Sequence, residues 1–261
     1  MDRQLLLFST LCFLAAIVRS AVALRAQVFR RSRFNFSMIL LGFLLQSAFL
    51  GLRGHALGRC PITNLFEVLV FLAWSIALIY MVIGPAYRLS LMGSFTAPLV
   101  FLLQSFALLA PIDAPRAARL PPNAWLEFHA SISLIAYGAF ALACVAGVMY
   151  LVQERQLKRR ELHSIFYQLP PLPNLFSAML RLLWFGFALY SAGLISGFFT
   201  GERLPWTKVT LALIIWIAYA GILFGPRLCS IAPRRIAAFC VAAFAAALSL
   251  LWSIEFVAHH A

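Results

Sequence analysis

His129 is the residue of this 261-residue chain whose setting most invites a chemical reading. It lies in WLEFHASISLIAYGAFALACVAGVMYLVQERQLK, residues 125–158, at the mouth of an apolar run long enough to cross a bilayer. The run closes in a charged patch, residues 154–161. A histidine held near a membrane surface is a functional-site hypothesis by default, and neutral imidazole is a good ligand for metals such as iron. A second polar pair, Asn64 and Glu67, stands about one turn apart near the start of another apolar run. Glu67 would sit roughly 5–8 Å into its helix, at about 1.5 Å per residue. A carboxylate there must be bonded or face water, so it caps the helix, bonds a neighbour or lines a cleft; the structural role is the preferred reading.

Other chemistries find no support. Cys12, Cys60, Cys144, Cys229 and Cys240 form no CxxC pair, so neither a zinc nor a dithiol motif is indicated. Cys12, Cys144 and Cys240 fall in apolar runs and read as small hydrophobes, whereas Cys60 lies in a loop. Nucleophile elbow, phosphate loop and HExxH are all missing from the sequence, so an enzyme is not expected.

The elements that position these residues are membrane helices. The chain is 63% hydrophobic and 11% charged, more apolar than a soluble domain of this size can bury. Apolar runs of about 20 residues each match a bilayer core. Eight spans are expected, at 4–24, 35–53, 62–83, 88–110, 125–152, 175–200, 206–226 and 234–258, in one all-α membrane domain covering 1–261. The fifth and sixth are long and should tilt or project. The first run, interrupted by Arg19, has no clear cleavage site and reads as a span.

The net charge of +13 reads as loop residues that fix topology, not as a nucleic-acid surface. Of the 21 Lys/Arg, 14 fall in segments 19–33, 84–88, 153–181 and 227–235, and seven on the opposite side. The first set is expected in the cytoplasm, which puts both termini outside. His55, His129, His259 and His260 then share the outer surface, and His163 alone is inside. The proline-bearing loops 111–124 and 168–174 lead into the fifth and sixth spans. Gly193/Gly197 and Gly221/Gly225 are spaced for close helix approach, and Gln46, Gln104, Ser131 and Ser133 are expected to bond between helices.

Three segments together resemble the cytochrome c assembly protein family, in its CcsA-like and HemX-like branch. They are Pro61-Ile62-Thr63-Asn64-Leu65-Phe66-Glu67 running on to Trp74; Trp125 to Lys158 with His129, Tyr137, Tyr150-Leu151, Gln153-Glu154 and Leu157-Lys158 in order; and Gly193-Leu194-Ile195-Ser196-Gly197. The resemblance covers roughly residues 55–260. It implies haem carried at the outer face, between a tryptophan-rich loop and two flanking histidines. His129 matches the first histidine. No outer histidine follows it before His259 and His260, which stand as candidates for the second. The loop matching the tryptophan-rich segment, residues 198–208, holds one tryptophan and no Trp-Asp, and is more similar to the HemX-like branch.

On that resemblance, haem would take axial imidazoles from His129 and from His259 or His260. Glu255, four residues before His259, would hold the imidazole's other N–H. Trp206 would stack on the porphyrin, and Arg203 and Lys208 would meet the propionates. The plain alternatives are an interfacial histidine bonded to a loop carbonyl, a frayed terminus, and Trp/Lys/Arg anchoring a helix end. The expected function is haem handling for cytochrome c maturation in a bacterial cytoplasmic (inner) membrane. Other maturation proteins or apocytochrome c are the expected partners besides the bilayer. A HemX-like regulator without haem is the alternative. A small transporter is a second, though the spans show no evident inverted repeat and few midplane charges.

Overall fold

The computed structural model describes residues 2–25, 33–83, 92–110, 123–159, 171–201 and 206–260, with backbone alone for residues 2, 24, 25, 227, 228 and 250–260. Eight α-helices account for almost all of them: α1 Asp2–Arg25, α2 Arg33–Leu57, α3 Leu65–Ile83, α4 Met92–Leu109, α5 Ala124–Arg159, α6 Leu172–Gly197, α7 Trp206–Leu228 and α8 Pro233–His260. A bilayer offers the backbone no hydrogen bonds, so an apolar chain satisfies its own as helix. Among the described residues, seven helices, α1 to α7, are long and apolar enough to cross a membrane. The chain is an all-α polytopic membrane protein.

Several helix ends differ from the apolar runs. α3 begins at Leu65 rather than at 62, because the turns from Gly58 to Asn64 occupy the preceding residues. α6 begins at Leu172, inside the expected loop 168–174, with Pro171 as cap and Pro173 in the first turn, where a missing N–H costs nothing. α5 runs seven residues past its apolar stretch, to Arg159. At about 1.5 Å per residue, its 36 residues span about 54 Å against a hydrocarbon core of about 30 Å, so it projects.

The helices group into two compact units, α1–α4 and α5–α8. In the first, α1 packs on α2 and α4, and α3 on α4 and α2. Small polar side chains pin the helices together. Ser9 Oγ donates to the Gly42 carbonyl at 2.9 Å and accepts from Gln104 Nε2 at 3.2 Å. Asn35 Nδ2 donates to Ser20 Oγ at 2.6 Å, and Trp74 Nε1 to Ser47 Oγ at 2.8 Å. Gln46 departs from expectation: it is fully buried, yet neither amide atom has a partner among the described residues.

In the second unit α5 and α6 form the closest pair, α8 packs on α5, and α7 touches α6 and α8. The α6 residues Gly186, Gly193 and Gly197 make the approach possible. A Cβ on Gly186 would meet Phe140 at 2.8 Å, and one on Gly193 would meet Ser133 Oγ at 2.6 Å. Phe140 in turn stacks on Tyr219 of α7 with ring centroids 3.7 Å apart. At the charged end of α5, Glu154 pairs with Lys158 at 2.6 Å and reaches Arg234 of α8 at 3.6 Å. The close approach expected at Gly221 is not found: no atom lies within 4 Å of where its Cβ would be, because α7 and α8 part there around a cleft.

Candidate functional site

His129 stands in the second turn of α5, whose start is fixed by Asn123. The Asn123 Oδ1 accepts the free N–H groups of Trp125 at 3.1 Å and Leu126 at 3.4 Å, as an N-cap should. The same amide donates through Nδ2 to the Thr200 carbonyl at 2.8 Å. One side chain therefore starts α5 and ties it to the 3-10 turn, Phe198–Thr200, that closes α6. Gly201, at φ +70°, ends that turn in the left-handed region.

The imidazole of His129 lies against the α6 backbone. Its Nδ1 is 2.6 Å from the Gly193 carbonyl oxygen, which also accepts from Ser196 Oγ at 2.7 Å. A carbonyl can only accept, so Nδ1 carries the proton. In the tautomer this bond selects, the ring's other nitrogen, Nε2, is the one that can act as a ligand, and nothing bonds Nε2 among the described residues. Metal-ligating histidines are oriented in this way, by a carbonyl or carboxylate on the far nitrogen. Gly197 completes the seat: a Cβ there would stand 3.2 Å from the ring's Cε1 and Nδ1.

Aromatic rings gather at the start of α5. Trp125 meets Phe199 with centroids 5.4 Å apart and planes 32° apart, and touches Phe128 edge-on. Trp125 is 51% exposed and Phe199 60%. The pairing of Trp125 with Phe199 escapes a reading of the sequence alone, because 74 residues separate them; the available signal was Asn123 as a cap two residues before Trp125. Trp206 opens α7 at 83% exposure, and its ring contacts no other ring among the described residues. Lys208 is exposed in the first turn of α7. Arg203 lies outside the described residues, as do the side chains of Glu255, His259 and His260 in the last turns of α8. No three His, Cys, Asp or Glu converge among the described residues. A lone imidazole of this kind suits a metal that brings most of its own donors.

Asn64 and Glu67 belong to the other unit and form a closed system. Asn64 Oδ1 accepts from the Glu67 backbone N–H at 2.9 Å, capping α3. The Glu67 carboxylate accepts from Thr63 N and Thr63 Oγ1, both at 2.7 Å, and from Arg53 Nε at 2.8 Å. Glu67 is 1% exposed, and the Arg53 guanidinium also lies 5.3 Å from the Phe66 ring centre.

Fold and site together define an all-helical membrane protein with an imidazole oriented by a backbone carbonyl at the head of its longest helix. The sequence model of the family described as cytochrome C assembly protein matches residues 62–258, and the chain belongs to that family. It is 27% identical over 214 residues to the cytochrome c biogenesis protein CcsA of Guillardia theta, covering 72% of this chain and 71% of that one. It is 28% identical over 243 residues to CcsA of Prochlorococcus marinus (strain MIT 9301), covering 82% and 79%. Protein HemX of Brevibacillus brevis is 25% identical over 183 residues, covering 69% of this chain and 66% of HemX.

Proposed function

We propose that this protein serves cytochrome c assembly by holding haem at the His129 end of α5, in the cytoplasmic membrane of a bacterium with that end facing outward. The observation that carries the reading is the His129–Gly193 hydrogen bond, which fixes the proton on Nδ1 and leaves Nε2 for iron. Family membership and the relatives named for cytochrome c biogenesis supply the context. Haem brings four equatorial nitrogens of its own and an iron that takes axial imidazole, so one or two protein ligands suffice. His129 is the first of these, and His259 or His260 the candidate second. The exposed faces of Trp125 and Phe199 suit a flat apolar ring, with Trp206 a further stacking candidate. Arg203 and Lys208 are the propionate candidates, and Glu255 would orient His259.

The absorption spectrum of the detergent-purified chain, oxidised and then reduced with dithionite, tests this. A Soret band that is lost or shifted in His129→Ala, and partly restored by added imidazole, is the expected result. No Soret band even with added haem would overturn it. That outcome would favour a HemX-like regulator working by protein contact, a reading to which the missing Trp-Asp in 198–208 and the similarity to HemX lend support.

A further inference from the structure

Between α7 and α8 the second unit carries an open cleft of about 470 Å³. Ala218 and Gly221 of α7 and Ile236, Phe239, Ala242 and Ala246 of α8 line it, so its wall is apolar. Ile236 to Ala246 is ten residues, or about 15 Å at 1.5 Å per residue. That is half of a hydrocarbon core of about 30 Å, the depth of one leaflet. One end of the cleft lies at the start of α8, where Arg234 and Arg235 are both exposed. The two arginines differ in direction. Arg234 reaches across to Glu154 of α5. Arg235 falls on the stripe of Phe239, Ala242 and Ala246, at i, i+4, i+7 and i+11, and its side chain has no ion pair or hydrogen bond among the described residues.

We propose that this cleft binds an anionic phospholipid, with one acyl chain lying along Gly221 and Ala242 and the headgroup phosphate held by Arg235. An apolar cleft open to a bilayer takes acyl chain rather than water. The chain gains little by moving from lipid to protein, because both are equally apolar. Selectivity must therefore come from the mouth, where an unpaired guanidinium meets phosphate in bidentate geometry. The exposed Arg155, Lys158 and Arg159 of α5, in the same unit, add positive charge that disfavours a headgroup carrying its own amine.

Native mass spectrometry of the full chain, titrated with equal amounts of phosphatidylglycerol and phosphatidylcholine of distinct mass, reads this directly. The first lipid bound should be phosphatidylglycerol. Arg235→Gln should reduce its preference over phosphatidylcholine by about fivefold, the worth of one basic residue at an anionic surface. Arg234→Gln should change it little. Gly221→Leu should obstruct the middle of the cleft and remove the first bound lipid of either kind. Its melting curve should be unchanged or raised, since open space surrounds that position. Equal binding of the two lipids, indifference to Arg235→Gln, or retention of lipid by Gly221→Leu would each overturn the proposal. So would a dimer that Gly221→Leu dissociates, which would give the cleft to a helix of a second copy.

Discussion

Glu67 and His129 are both polar residues set near the start of a membrane helix, and they are treated in opposite ways. Every bond Glu67 needs is supplied within its own unit, by Thr63, Asn64 and Arg53. His129 receives one partner, at Nδ1, and its other ring nitrogen has none among the described residues. A buried polar group whose bonds are complete reports on stability. One that is oriented but incomplete is prepared for something that arrives later. The comparison predicts that substitutions at the two sites separate stability from ligand binding.

The largest loss is expected for Glu67→Ala. It leaves Arg53 without its carboxylate and the Thr63 N–H without an acceptor, which should cost about 3 kcal/mol; Arg53, 21% exposed, recovers part of its hydration and keeps the figure at the low end. The midpoint of unfolding in sodium dodecyl sulfate measures this, and haem binding by the surviving folded fraction should be unaffected. Next comes Gly193→Ala, whose Cβ would press on Ser133 Oγ. Overpacking of this kind costs about 2 kcal/mol, and here it also shifts the carbonyl that orients His129, so both readouts should fall. Gly221→Ala sharpens the contrast, since open space there should turn the change into a gain of about 0.5 kcal/mol by the helix preference of alanine. Asn123→Ala follows at about 1 kcal/mol for a lost N-cap. Its second bond, to Thr200, makes a weaker Trp125–Phe199 contact the accompanying sign, visible as a red-shifted tryptophan emission.

The sequence makes the helices legible because the bilayer demands them: apolar runs of the right length have no other way to satisfy their backbones. The extension of α5 past residue 152 was harder to see, since Gln153 to Arg159 leave the apolar pattern while remaining good helix formers. His129 was visible as a residue type in an unusual place. Its partner was not, because a main-chain carbonyl such as that of Gly193 has no side chain to announce it. Gly197, which gives the ring room, looked the same in sequence as Gly221, where a Cβ would meet open space; only the course of the neighbouring helix distinguishes them. Gln46 shows the limit from the other side, since its composition promises a bond that its position does not provide.

His129→Ala should cost the least stability of the destabilising changes and have the largest effect on haem. Removing the imidazole deletes one part-buried hydrogen bond, worth about 1 kcal/mol or less. The Gly193 oxygen is not orphaned by the change, because Ser196 Oγ still donates to it at 2.7 Å. The space vacated is partly open, since the ring is only half-buried, so no sealed cavity forms. A nearly unchanged unfolding midpoint together with loss of the Soret band would therefore mark the ring as there for its ligand. If His129→Ala instead cost as much as Glu67→Ala, the imidazole would be a packing element of the α5–α6 seam, and the distinction between the two polar sites would fail.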